Sequence, residues 1–350
     1  MAYKVEIING LDAFRKLREN WEKVYAQDVY AMFYVSWDYL HAWFQTTTDP
    51  WFIYAVRHEN EGHYIGFFPL QRRDSYKGGK RVYTLLTAAT NPMPVYTGFV
   101  CLPDSLDIFA SALAGHLKKS NDWDKLFLSN VIDPKMERLL ENWGSKRFII
   151  QKNEVIPALR LDLPANFEDY LNHNFTRSRR YNLRFILRKV KDDPELKISS
   201  VTEESVENDV ETLVDLWNQR WKKDDLALFE KEMLLRLYKS GHVWLNILWH
   251  KEKPVAVLSF FTDRVRSVVY AHITAYDRDY SSLSPGKVLF IYGIRHSIDE
   301  KYSHFDFAQG LDEYKQMLNA DKYQIYSYKI LPRNLRSLLL RVLQGLRPSR

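Results

Sequence analysis

The chain has 350 residues, 46% of them hydrophobic, a formal net charge of +6 and one cysteine, Cys101. That length and apolar content can bury two ordinary cores. A lone cysteine excludes an internal disulfide framework and any multi-cysteine zinc site, and the ten histidines show no HExxH or similarly tight spacing, so no metal is expected.

No window approaches the roughly 18 apolar residues needed to span a bilayer, and "MAYKVEIING" lacks the apolar core of a signal peptide; a cytoplasmic protein is expected. The positive balance suits an anionic partner but does not by itself separate nucleotide, nucleic acid and lipid headgroup.

In chain order, "AYKVEII" reads as a short strand, followed by helical segments Leu11 to Ala26 and Ser36 to Thr46, with Ser36 as the N-cap of the second. "WFIYAVRH", "HYIGFFPLQRR" and "RVYTLLT" are β-rich runs split by "ENEG" and "SYKGGK", which predicts antiparallel strands joined by turns. The pattern then recurs. After helices around Val206 to Trp221 and Leu228 to Lys239 come "VWLNILWH", "KPVAVLSFFTD" and "RSVVYAHITAY", and His58 and His250 occupy the same place in the two sets. Two similar halves are expected.

In the second half, the three strands lead into Ser284-Pro285-Gly286, a helix from about Lys287 to Lys301, the strand "SHFDFAQ", Gly310, a short helix "LDEYKQML" and a final strand "YQIYSYKIL". A helix linking "RSVVYAHITAY" to "SHFDFAQ" makes that pair parallel, so the sheet is mixed and should splay where the helix begins. A splayed sheet leaves a cleft with a helix N-terminus at its mouth. There, backbone N–H groups and the helix dipole favour an anion, Pro285 suits the first turn, and Gly286 lets a ligand approach the backbone.

Arg177, Arg180, Arg184 and Arg188 recur along one side of a helix in "TRSRRYNLRFILRKVK", apart from the apolar strip of Leu183, Ile186, Leu187 and Val190. That side is either a solvated face or a contact for a phosphate-bearing acceptor; nucleic acid ranks lower because aromatic residues are not interleaved as stacking platforms require. In "WNQRWKK", Trp217 and Trp221 share a helix face that reads as core, with Arg220 able to reach the cleft.

The succession "FYVSWDYLHAWF", "IGFFPLQRR", "PVAVLSFF", "YSSLSPGKVLFIYGI" and "HFDFAQGLDEYKQ" resembles the CelD/BcsL (BioF2-like) branch of the GNAT acyltransferase superfamily, related to the bacterial Fem-type transferases that add amino acids to peptidoglycan precursors. The most specific part is SPG followed by FDF-x-x-G-x-x-x-YK. The resemblance implies an α+β fold of two tandem GNAT-like halves, each a mixed, mostly antiparallel sheet flanked by helices. The expected division is 1–160 for a degenerate N-terminal half, 161–331 for the catalytic half and 332–350 for a basic tail.

It also implies an N- or O-acyltransferase that uses acyl-CoA or acetyl-CoA on a small-molecule or lipid-linked acceptor, a sugar, lipid or cell-envelope precursor of the kind met in polysaccharide biosynthesis. Ser284, Pro285, Gly286 and Lys287 are then the diphosphate site. This loop lacks the Gln or Arg and spaced glycines usual in GNAT pyrophosphate loops. Asp306 is the candidate base, Tyr314 the acid for the departing thiolate, and Lys315 the cation for an oxyanion or anionic acceptor, a buried or half-buried lysine whose misfit near a helix N-terminus points to a role and whose loss should leave stability nearly unchanged. Arg177, Arg180, Arg184 and Arg220 are the candidate acceptor or phosphate contacts. The alternatives are a Fem-type transferase taking aminoacyl-tRNA and a catalytically inactive GNAT-like binding module.

From Pro332 onward, "RNLRSLLLRVLQGLRPSR" carries five arginines and no acid, with Leu335, Leu339, Val342 and Leu346 at helical spacing. That profile suits a helix lying on an anionic membrane, peripheral at the inner face, and equally one docked on the protein's own surface.

Overall fold

The computed structural model describes residues 3–90, 95–120, 122–144, 148–311 and 313–333. The chain forms two compact units, one made of residues up to Val155 together with those from Gln324 on, the other of Ile156–Tyr323.

The first unit opens with β1 (Tyr3–Ile8), α1 (Leu11–Lys16) and α2 (Arg18–Gln27). The expected single helix is broken at Leu17, whose N–H bonds the Phe14 carbonyl three residues back at 3.0 Å, a tightened turn that re-aims the second segment. Next comes α3 (Trp37–Thr46), where the Ser36 side chain accepts the Tyr39 N–H as the sequence predicts. β2 (Trp51–His58), β3 (Tyr64–Lys77), β4 (Lys80–Ala88), β5 (Val100–Cys101), α4 (Leu106–Lys119), β6 (Lys125–Val131) and α5 (Lys135–Trp143) complete the run.

Inside this unit the Lys135 ammonium is held between the Asp28 carboxylate, the Asp133 carboxylate at 3.2 Å and the Phe99 carbonyl at 3.0 Å, all buried. Burial pushes the Asp133 carboxyl up to about 6 against the pull of Lys135.

The chain passes between units within β7 (Phe148–Asp162). The second unit continues with α6 (Phe167–Asn174), α7 (Arg177–Asp192), β8 (Leu196–Ser200), α8 (Val206–Trp221), α9 (Asp224–Lys239), β9 (Val243–His250), β10 (Lys253–Asp263), β11 (Val268–Tyr276), α10 (Pro285–Asp299), β12 (His304–Gln309) and α11 (Glu313–Gln316), before β13 (Asp321–Pro332) leads back.

Strand order shows the repeat directly. The first unit runs β1-β2-β3-β4-β6-β13 and the second β8-β9-β10-β11-β12-β7. Every neighbour is antiparallel except the fourth and fifth strands, β4 with β6 and β11 with β12, which are parallel and joined by a helix-bearing crossover. His58 and His250 end the matching strands β2 and β9. The fold is therefore α+β, with a mixed, mostly antiparallel run of six strands repeated in each unit and helices against it.

The units divide at 155/156 and 323/324, where the sequence suggested 160/161 and 331/332. The sixth strand of each sheet comes from the other half of the sequence: β13 pairs with β6 from Tyr326↔Val131 to Ile330↔Leu126, and β7 pairs with β12 from Ala158↔Gln309 to Asp162↔His304. The tail from residue 334 onward, on which the membrane expectation falls, lies outside the described residues.

In the second unit α10 presses Gly293 onto the sheet. A Cβ there would lie 2.6 Å from the Phe260 ring, which is fully buried and packs against Trp244 and Phe305 at centroid distances of 4.8 and 5.7 Å. Overpacking costs about 1–3 kcal/mol and alanine's roughly 1 kcal/mol advantage in a helix offsets only part. Gly293→Ala is expected to lower the melting temperature; an unchanged or higher value would show that the ring swings aside freely.

Burial also holds His296 and His304 below the ordinary imidazole range, more than the nearby carboxylates raise them. Their folded pKa values are depressed, so they contribute stability that is present above about pH 6.5 and lost as the pH falls towards the folded values. Asp133 acts in the opposite direction, its raised carboxyl adding stability as the pH falls below about 6. Melting curves between pH 7.5 and 6 should show the histidine loss first, and His296→Gln with His304→Gln should flatten it; a slope unchanged in that double variant would contradict the assignment.

Candidate functional site

The cleft forms where two parallel strands part. β11 and β12 pair over only three rungs, Val268↔His304, Val269↔Phe305 and Tyr270↔Asp306. Beyond them β11 bulges. Ala271 faces Phe260 and Thr274 faces Leu258, so His272 and Ile273 oppose the single Ser259, whose hydroxyl accepts the Ile273 N–H at 3.1 Å. β12 loses register after Asp306, where Ala308 takes φ 58°. The splay expected from the sequence is present.

A cleft of about 720 Å³ lies at the end of β11. It is lined by Thr274 and Tyr276 of that strand, Ser281 and Ser284–Lys287 of the loop and first turn of α10, Arg220 and Trp221 from the last turn of α8, and Met317. Five residues singled out from the sequence, Ser284, Pro285, Gly286, Lys287 and Arg220, thus converge on one place.

The helix start is built for an anion. Ser284 is left-handed (φ 50°, ψ 51°) and gives no side-chain cap, Pro285 has no N–H to satisfy, and the first turn holds no acidic residue. The Gly286 and Lys287 N–H groups therefore lack intrahelical acceptors at the positive end of a 15-residue helix. Lys287 adds a cation where the helix alone would favour an acid, and Arg220 adds a second. Among the described residues no Asp or Glu lines the cleft. A Cβ on Gly286 would touch only the Thr274 methyl, at 3.9 Å, so the glycine is not demanded by the protein's own packing; its bareness serves the open side.

Trp221 overturns its reading as core. It is 48% exposed, with the Arg220 guanidinium 4.8 Å from its ring, because α8 ends there in a left-handed Lys222 and carries the indole past the packed part of the helix. Thr274, Tyr276, Ser281 and Met317 gave no signal in the sequence. Nor did the buried pair of His272 Nε2 and Glu230 at 2.8 Å, which ties α9 to the bulge of β11 across 42 residues of chain.

The FDF-x-x-G-x-x-x-YK segment lies beside this cleft in sequence, and its charged members are turned inward. Asp306 is 1% exposed and accepts the Tyr323 hydroxyl at 2.6 Å and the Ala308 N–H at 2.7 Å, the second bond bracing the left-handed Ala308. Lys315 is 7% exposed, and its ammonium donates to the Phe307 and Gln309 carbonyls at 3.1 and 3.3 Å. The lysine closes the turn from β12 to α11, so its loss is expected to cost stability, where the sequence reading expected little change. The Tyr314 side chain lies outside the described part.

Arg177, Arg180 and Arg184 are not brought to the cleft with Arg220. Arg180 bonds the Phe175 carbonyl at 3.0 Å, Arg184 pairs with Glu168, and Arg177 is exposed on α7. Arg184 and Arg188 line a second, smaller cleft of about 400 Å³ with Phe167 and Arg295. Among the described residues no group of His, Cys, Asp and Glu is placed to hold a metal, and no helix is long and apolar enough to cross a membrane.

Residues 177–316, which include every residue lining the cleft but Met317, match the family described as "Acetyltransferase (GNAT) domain". That match lies within the second unit and supports a transferase-type domain there. No curated protein matches the sequence. Among solved structures the chain is similar to FemX (TM-score 0.64, 11% identity, 97% of this chain and 100% of that one). It is also similar to the C-terminal domain of a putative lysylphosphatidylglycerol synthetase from Agrobacterium fabrum (TM-score 0.56, 12% identity, 95% and 96%). A tandem GNAT protein from the clavulanic acid biosynthesis pathway gives TM-score 0.53 with 11% identity over 95% and 99%. At these identities the likeness is one of fold.

Proposed function

We propose that the second unit transfers an acyl group from acyl-CoA to an amine or hydroxyl of a sugar, lipid or cell-envelope precursor. The observation that carries this is the uncapped, acid-free start of α10 with Lys287 and Arg220 beside it, a donor set that suits a diphosphate. In this reading the Gly286 and Lys287 N–H groups and the two cations bind the diphosphate, while Trp221, Tyr276 and Met317 form an apolar wall that displaces water.

In the transfer, the acceptor nitrogen or oxygen bonds to the thioester carbonyl carbon, the C–S bond breaks, the acceptor loses a proton and the thiolate gains one. Tyr314 is the candidate acid for that thiolate, and Asp306 and Lys315 are positioning residues that build the turn on which it stands. Titration calorimetry with coenzyme A and acetyl-CoA should show saturable binding that Lys287→Glu weakens. Absence of heat with both would overturn the reading.

A second reading, a Fem-type transferase taking aminoacyl-tRNA, is favoured by one feature: Trp221 is exposed and Arg220 lies on its ring, a platform on which a terminal base can stack. Binding of that donor would weaken steeply with added salt through counterion release, and would exceed binding of coenzyme A.

A further inference from the structure

We infer that the outward ridge of α7 is a docking surface for an anionic membrane, an interaction that goes beyond the acyl-transfer reading and does not depend on it. The helix carries seven Lys and Arg against one acid, Asp192. Leu183, its single fully buried residue, marks the inner side, with Ile186, Leu187 and Val190 packed half-buried against the core of the second unit. Phe185 is two residues on from Leu183, about 200° around the helix, so it stands almost opposite the docked side, with Tyr181 one turn before it.

Both rings are in water. Tyr181 is 61% and Phe185 51% exposed, and they lie nearly parallel with centroids 6.5 Å apart. On their side of the helix, Arg177, Arg188 and Lys189 have no carboxylate within ion-pair distance among the described residues, whereas Arg184 pairs with Glu168. An exposed phenyl and phenol amid unpaired cations is the composition of a helix lying in the headgroup layer, rings at the acyl boundary and cations among lipid phosphates.

The ring geometry favours a lipid surface over nucleic acid. A base stacks on an open ring face, yet the Arg188 guanidinium sits 5.6 Å from the Tyr181 centroid and the two rings lie against each other. These faces are partly taken. Rings with occupied faces still enter a hydrocarbon boundary readily and offer a base little.

The single cysteine makes a local test possible. Cys101 is fully buried, and burial pushes its thiol up to about 12, so it reacts poorly with labels. Phe185→Cys in the full chain would then carry a solvent-sensitive fluorophore at the ridge. Vesicles containing phosphatidylglycerol at low salt should shift its emission to the blue and phosphatidylcholine vesicles should not, while a label at exposed Val265 stays in water. In sedimentation, Tyr181→Ser with Phe185→Ser should reduce pelleting with anionic vesicles about 10-fold, two buried rings being worth more than the 1.4 kcal/mol that this represents, with an unchanged melting temperature.

No blue shift with anionic vesicles would overturn the proposal. So would a serine variant that pellets like the parent, or a ridge that binds an RNA oligonucleotide and no vesicle. Coenzyme A binding, read separately by calorimetry, is expected to be the same in all these variants.

Discussion

Replacing Arg220 and Lys287 together by glutamate is expected to cut the affinity for coenzyme A by at least about 100-fold, while the melting temperature changes little. Each cation lines the cleft with no acid beside it among the described residues. A hydrogen bond to a charged group contributes roughly 1.5–3 kcal/mol, so losing two and installing repulsion removes about 3–6 kcal/mol of binding. The fold responds little, because Arg220 suits the C-terminal end of α8 and a glutamate there costs about 0.3–1 kcal/mol, which the gain at the other site offsets. Lys287 stands in the first turn of α10, where a cation opposes the helix dipole and a glutamate adds about 0.3–1 kcal/mol. A residue that weakens its own helix is explained by a ligand that needs it. Parental affinity in the double variant, measured by calorimetry, would mean that donor phosphates lie elsewhere; a lowered melting temperature would mean that the two cations support the fold.

What the sequence showed and hid follows from the range of the forces involved. The repeat was legible because hairpins and helix starts are local: charged turns between β2 and β3 and between β9 and β10, Ser36 as a cap, and Pro285 at a first turn are each written in a few adjacent residues. The unit boundaries were not, because β7 and β13 are exchanged between the halves, and no local pattern says which sheet a strand will join.

The same division runs through the site. Ser284 to Lys287 form one continuous stretch, whereas Trp221, Tyr276 and Met317 reach the cleft by tertiary placement alone. The spacing of Trp217 and Trp221 fixed their common face but not that the helix would end at Trp221 and leave the ring in solvent. Likewise the arginines of α7 were visible as a stripe, but the aromatic pair beside them emerged only once Leu183 had fixed which side faces in.

The second large effect is expected at Lys315. An ammonium near a helix N-terminus is a misfit, and the sequence reading took that misfit as a sign of catalysis. The structure gives it another cause. α11 is only four residues long, and the side chain turns back to the end of β12, where it donates to the Phe307 and Gln309 carbonyls on either side of the left-handed Ala308. Lys315→Ala strips a donor from two carbonyls in a nearly water-free place, at about 1–3 kcal/mol each for groups left unsatisfied, so a loss of roughly 2–6 kcal/mol is expected.

Activity should fall with it. α11 is followed at once by Met317 in the cleft wall, and a turn that relaxes by an ångström misplaces whatever stands on it, which can cost about 100-fold in turnover. Thermal melting and turnover measured on the same preparations separate the two roles of this lysine. A positioning role predicts that both fall in Lys315→Ala and that Lys315→Arg, which keeps the charge and the donors, restores part of each. A variant that melts like the parent yet turns over about 100-fold more slowly would instead return Lys315 to direct contact with the reacting groups.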